Sequence, residues 1–101
     1  MGDLDVETID WLNTLKLGNK LNYLSDFENG YYMGLIFERM NLSKGRKFKN
    51  TNDMACKFQN FKNIKDLLYE NFRVDFPIQN ILFNTEALLL TIRDSIKKYN
   101  R

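Results

Sequence analysis

Histidine is absent from this 101-residue chain, and cysteine and proline each occur once. The commonest general base near neutral pH, which is also the commonest metal ligand, is therefore missing. Cys56 has no partner for an intrachain disulfide, which favours a reducing compartment. Its place beside the apolar stripe of a predicted helix indicates a buried, small hydrophobic residue rather than a reactive thiol.

Other functional motifs are absent as well. No apolar run approaches the ~20 residues that cross a bilayer, and no glycine-rich segment continues into the Gly-Lys-Ser/Thr of a phosphate-binding loop. Asp3, Asp5 and Glu7 resemble the start of a calcium loop, but the turn glycine and the distal glutamate are missing. We therefore expect no enzyme activity, no cofactor, no metal and no membrane partner.

What is present is enough apolar sequence for one packed domain spanning residues 1–101. Hydrophobic residues make up 44% of the chain and aromatic residues 14%, which predicts an ordered core. Four segments carry helical periodicity, and the predicted fold is all-α, with four main helices and short connecting ones. Their expected bounds are Asp5–Lys16, ended by Gly18-Asn19; about Phe27 or Gly30 to Met40; Thr51–Asp53 as a cap running on to about Asn71; and Glu86–Tyr99, capped by Asn84 or Thr85.

Each of these helices has residues that we expect to face the core. The second helix is apolar almost all round and is predicted to be central and buried, with Gly34 allowing close approach of a neighbouring backbone. Between the second and third helices, the polar segment 41–53 has only Leu42 and Phe48 as large apolar residues. The predicted inward positions of the other helices are Val6, Ile9, Trp11, Leu12 and Leu15; Met54, Phe58, Phe61, Ile64, Leu67 and Leu68; and Leu88, Leu89, Ile92, Ile96 and Tyr99.

Charge is distributed unevenly along the chain. Four acidic residues lie within the first ten positions, whereas the stretch from Lys44 to Lys65 holds seven cations against Asp53 alone, a local charge of +6. No acidic residue balances positions 44–49, and the cations continue onto the next helix, so a binding surface competes with an ordinary solvated face. Such a patch would attract an acidic partner in a salt-sensitive way. Its members are Lys44, Arg46, Lys47, Lys49, Lys57, Lys62 and Lys65.

A tryptophan-bearing first helix followed by a Phe-x-Asn-Gly entry into a buried helix resembles the calponin-homology superfamily. The resemblance is strongest to the divergent CH-like domain at the N-terminus of sperm-flagellar and ciliary central-apparatus proteins, so we expect the chain to be the N-terminal part of a longer protein. It extends over almost the whole chain and includes the closing helix 86–99. The other matching residues are Trp11, Leu12, Asn13, Phe27, Asn29, Gly30, Gly34, Phe58, Asn60, Phe61, Leu67 and Leu68.

The resemblance implies a cytoplasmic, cytoskeletal protein of a cilium, flagellum, centriole or basal body. It also implies which acidic surface the basic patch would meet, because several single CH-like domains bind tubulin or microtubules, whereas actin binding usually needs two CH domains in tandem. The alternative is a scaffold domain that docks another ciliary or centriolar protein through an apolar groove. Trp11, Phe27 and Phe37 are candidates for such a groove, but aromatic residues at helical spacing more often belong to the core. Nucleic acid is not an expected partner, since exposed aromatics and arginines are few.

Overall fold

A computed structural model describes residues 4–18, 23–77 and 85–99, and within these ranges the regular structure is helical, with no β-strand. The all-α prediction is therefore confirmed. The predicted turn containing Ile78, Ile81, Leu82 and Phe83 lies outside the described residues, as do Asn84 and the connecting Leu21. The elements are α1 (Val6–Leu15), a 3-10 helix (Leu24–Phe27), α2 (Tyr31–Arg39), α3 (Met54–Phe72) and α4 (Thr85–Tyr99).

Helix α1 buries Thr8 and Leu12 rather than the whole predicted stripe. Val6 is exposed, and Trp11, predicted to be inward, is only half-buried while it packs against the core. The helix also ends earlier than predicted, because Lys16 adopts the left-handed conformation at its C-cap (φ 52°). The remaining members of the predicted stripe, Ile9, Trp11 and Leu15, are partly buried and pack against the core from its edge.

The entry to α2 depends on a glycine in a conformation that other residues rarely adopt. Gly30 is the N-cap with φ +81°, and the preceding Asn29 side chain accepts a hydrogen bond from the backbone N–H of Tyr31 (3.0 Å). A Cβ atom at Gly30 would also lie 3.0 Å from the Cβ of Asn60 on α3. The central helix therefore starts at Tyr31, and Phe27 belongs to the short 3-10 helix before it.

Helix α2 is central, as predicted, and packs against α3. It buries Met33, Ile36 and Phe37 completely. The close approach at Gly34 is real, but the neighbour is the ring of Phe48 and not a backbone. A Cβ atom at Gly34 would overlap that ring. The missing side chain therefore leaves a slot on α2, which the ring of Phe48 fills.

Four of the six residues predicted to form the apolar stripe of α3 are buried. Phe61, Ile64, Leu67 and Leu68 are buried, whereas Met54 and Phe58 are 68% and 44% exposed. At 100° per residue, Phe58 lies about 120° around the helix from Ile64, so its position in a sequence repeat does not place it on the core side. The helix ends at Arg73, which adopts a left-handed conformation (φ 60°) shortly before Pro77.

Helix α4 contributes buried residues to the core and bonds to α1 through its polar side chains. Leu88, Leu89, Ile92 and Ile96 are buried as predicted, but Tyr99 is 57% exposed. The Arg93 guanidinium donates to the buried Thr8 hydroxyl (2.8 Å), and Lys97 pairs with Glu7 (3.0 Å). A hydrogen bond with the Thr8 side chain, helped by the charge of Arg93, lowers the pKa of Asp5. Part of the acidic N-terminal charge is thus neutralised by the last helix.

Candidate interaction surface

The predicted basic patch is built on α3 and on the extended segment that leads into it. Arg46 lies beside Glu70 in the last two turns of α3, and the backbone of Lys49 lies beside Asn60, near its start. The segment 46–50 therefore runs antiparallel along α3. Two buried side chains, which we call anchors, hold the segment in this position.

The first anchor is Phe48. Its side chain is 9% exposed and fills the slot at Gly34 on α2. Because successive side chains of an extended segment point to opposite sides, Lys47 and Lys49 are turned outward, and both are exposed.

The second anchor is the buried side chain of Asn60. Its Nδ2 donates to the carbonyl oxygens of Asn29 (2.9 Å) and Lys49 (2.8 Å), and its Oδ1 accepts from the backbone N–H of Lys49 (3.1 Å). A single amide thereby satisfies both backbone polar groups of Lys49. The sequence offered a signal for this role, since Asn60 lies four residues before Ile64 and so shares its buried face.

One end of the patch is neutralised by acidic residues of the fold. Arg46 forms a two-pronged ion pair with Glu70 (2.8 and 2.7 Å), and Lys65 pairs with Asp75 (3.2 Å). The hydrogen bond from Arg46, together with the charges of Arg46 and Lys44, lowers the pKa of Glu70. We call these two ion pairs the paired end; its members are Arg46, Lys65, Glu70 and Asp75. The charges of Lys44 and Asp66 also act on the pair of Arg46 and Glu70, but neither forms an ion pair with a described residue. The expectation that no acid balances positions 44–49 is therefore wrong for Arg46, because Glu70 reaches it from a helix 24 residues further along the chain.

The other end keeps its positive charge. No described residue forms an ion pair with Lys47, Lys49, Lys57 or Lys62, and we call these four the open end. The nearby carboxylate of Asp53 accepts a hydrogen bond from the backbone N–H of Cys56 (3.1 Å) and so serves as the N-cap of α3. Lys47, Lys49 and Lys62 are exposed, whereas Lys57 is half-buried.

Cys56 lies beside the open end. It lines a depression of about 170 Å³ together with Lys47, Lys49 and Gln59. The thiol is half-buried, so the prediction of a buried small hydrophobic residue is only half right. Cys56 is in the first turn of α3, where the helix begins beneath the extended segment.

The apolar groove proposed as the alternative site is not formed by the predicted residues. Phe27 and Phe37 are completely buried in the core, which leaves only the half-buried Trp11 of the three. A different groove, of about 510 Å³, lies between the end of α3 and α4. Phe72 and Tyr99 meet edge to face there, with ring centroids 5.6 Å apart, beside Val74.

The described part of the chain holds no cluster of three or more residues able to bind a metal ion. Nor is any helix within it both long and apolar enough to span a bilayer. The arrangement offers several ammonium groups on a backbone that is held in place by hydrogen bonds. Such groups are suited to carboxylates on a partner.

Comparison with known families identifies the domain. A family model described as the CH-like domain in sperm protein matches residues 8–85, which run from the buried Thr8 of α1 to the start of α4. No curated protein and no solved structure matches the chain. CH-like domains are binding modules for cytoskeletal and other proteins. The helical architecture of the described residues and the match over most of the sequence lead to one conclusion: this chain belongs to the CH-like domain family.

Proposed function

We propose that this CH-like domain binds tubulin or microtubules, in a cilium, flagellum or centriole, through its basic surface. The observation that supports the proposal best is the asymmetry of the patch. Acidic residues of the fold pair with Arg46 and Lys65, yet the open end has no ion-pair partner among the described residues. The fold also holds the segment carrying Lys47 and Lys49 in place. Because the backbone of this segment is already held, only the lysine side chains have to be ordered on binding.

The polarity of the surface matches the proposed partner. Tubulin presents an acidic lattice and acidic C-terminal tails, so the open end would be drawn to it by long-range attraction. That attraction weakens as salt shortens the Debye length from about 30 Å at 0.01 M to about 8 Å at 0.15 M. Lys47 and Lys49 are the central contacts of this proposal, with Lys57 and Lys62 extending the surface along α3.

Microtubule co-sedimentation of the Lys47→Glu/Lys49→Glu variant tests the proposal. We expect binding to be abolished, since repulsion replaces attraction, while helicity and melting stay unchanged because both side chains are exposed and unpaired within the described structure. Surface substitutions of this kind usually change the free energy of unfolding by less than about 0.5 kcal/mol.

A matched control removes the same amount of charge elsewhere. Lys16 and Lys98 are exposed and lie outside the patch, so Lys16→Glu/Lys98→Glu should retain most of the binding. Loss of binding in both double variants would indicate a response to net charge alone. Unchanged binding of Lys47→Glu/Lys49→Glu at physiological salt would show that the patch is only a solvated face.

The groove between α3 and α4 favours a second function, which is docking of another ciliary or centriolar protein. Tyr99 remains exposed beside Phe72 there, so apolar contact area is available. The two functions respond differently to salt, because contacts in an apolar groove are little affected by ionic strength. Partner binding that is insensitive to salt and lost on Tyr99→Ser would support the second function over the first.

A further inference from the structure

Two large apolar side chains lie exposed at the start of α3, next to the open end. Met54 is 68% exposed and Phe58 is 44% exposed. They are four residues apart, and Lys62 follows after another four, so the three side chains form one row along the outer face of the helix. We call Met54 and Phe58 the apolar strip.

Single exposed hydrophobic residues are normal on protein surfaces. Here two of them adjoin each other, and Phe58 also adjoins Lys62, which forms no ion pair with a described residue. Tyr69, on the same helix, is also exposed at 51%, but its ring has the Arg73 guanidinium 5.3 Å from its centroid. Among the described residues, no such cation–π contact or aromatic pair is present for Met54 or Phe58.

The strip is also fixed in position. The Asp53 carboxylate caps α3 one residue before Met54, and the Thr51 hydroxyl accepts from the backbone N–H of Asp53 (3.2 Å). Asn60, two residues after Phe58, ties the helix to the backbone of Lys49. Apolar and basic groups are therefore presented together on one rigid unit.

We propose that Met54 and Phe58 belong to the binding surface, and that its partner is a folded acidic surface with apolar contact area rather than a disordered acidic tail. This inference rests on the proposed function. A flexible, glutamate-rich tail could satisfy the lysines, but it would leave the thioether and the phenyl ring in water. A folded face that carries carboxylates around an apolar patch matches both halves of the row.

The proposal predicts that affinity has a component that salt does not screen. Exposed aromatic and methionine side chains that become buried at an interface are typical centres of binding energy. We expect Met54→Gln/Phe58→Gln to weaken microtubule binding at least tenfold, with the loss persisting at ionic strengths that suppress the lysine contribution. Both substitutions introduce a helix-forming residue at an exposed position, so helicity should be unaffected.

The experiment compares wild type, Met54→Gln/Phe58→Gln and Tyr69→Gln on intact microtubules and on microtubules whose acidic tails have been removed by limited proteolysis. Tyr69→Gln is the matched control, because it removes an exposed aromatic residue from the same helix away from the strip. Wild type and the control should bind both preparations with similar affinity, and the strip variant should bind both at least tenfold more weakly.

Three other outcomes would overturn the inference. If wild type binds only microtubules that retain their tails, the partner is the disordered segment. If the strip variant binds like wild type, the apolar strip lies outside the interface although the proposed function stands. If wild type binds neither preparation, the proposed function fails, and the inference fails with it.

Discussion

Replacing Gly34 by alanine should have opposite effects on stability depending on whether Phe48 is present. In an otherwise unchanged chain, a methyl group at position 34 overlaps the Phe48 ring. Overpacking of this kind costs about 1–3 kcal/mol, while alanine gains up to about 1 kcal/mol over glycine in a helix. We expect Gly34→Ala to lower the free energy of unfolding by about 1 kcal/mol.

The Phe48→Ala background removes the obstacle. That substitution alone should cost about 3 kcal/mol, at the lower end of the range for a buried phenylalanine, because the ring is 9% exposed and lies on a connecting segment. With the ring gone, Gly34→Ala should keep only its helix-propensity term and raise the free energy of unfolding by about 1 kcal/mol. The two effects differ by about 2 kcal/mol, within the range found for directly coupled residues.

Urea denaturation followed by far-UV circular dichroism measures all four members of this cycle. With a slope of about 1–3 kcal/mol per molar urea, a change of 1 kcal/mol moves the midpoint by roughly 0.3–1 M. Leu42→Ala supplies a control background, because Leu42 is buried in the same connecting segment, whereas the three atoms nearest to a Cβ at Gly34 all belong to Phe48. If Gly34→Ala changes the free energy of unfolding by the same amount and in the same direction in the Phe48→Ala background as in wild type, Phe48 does not fill a slot at Gly34.

Two further predictions concern α1 and the paired end. Trp11→Ala should cost less than Leu12→Ala in urea denaturation, about 1–2 against 2–5 kcal/mol, since Trp11 is half-buried and Leu12 is 3% exposed; the reverse order would show that the indole is a core residue. The lowered pKa of Glu70 stabilises the fold above the ordinary glutamate value of about 4.3, and that stabilisation is lost as the pH falls through the lower value in the folded state. Wild type should therefore lose stability more steeply in acid than Glu70→Gln does, and parallel pH profiles would contradict the ion pair with Arg46.

The sequence predicts the helices better than it predicts which of their faces are buried. Periodicity located all four helices, because a packed helix must repeat its apolar side at 3.6 residues. The repeat does not say where along a helix the neighbouring elements end. Met54 and Tyr99 continue the stripes of α3 and α4, yet both are exposed at helix ends. Trp11 shows a second limit, since bulk and apolarity made it a core candidate while the smaller Thr8 occupies the buried position.

The sequence predicts where the charged residues lie along the chain, but it does not predict which of them pair with each other in the fold. Counting within 44–65 identified the cations correctly, but the acids that neutralise Arg46 and Lys65 are Glu70 and Asp75, which lie beyond that window. Contacts between residues distant in sequence decide which charges have an ion-pair partner, and a count along the sequence contains no such information. The same limit applies to Asn60, whose hydrogen bonds reach back 11 and 31 residues.

Three residues that carry the family resemblance, Gly30, Gly34 and Asn60, lie around the path of the basic segment. Gly34 receives Phe48, Asn60 binds the backbone of Lys49, and Gly30 leaves room for Asn60. None of the three carries a charge, so in the proposed function their contribution would be to fix the backbone positions of Lys47 and Lys49. Since the lysines themselves are exposed, the chain can change its affinity at those two positions at little cost to stability. Changes at the three anchoring residues would disturb the fold and the surface together.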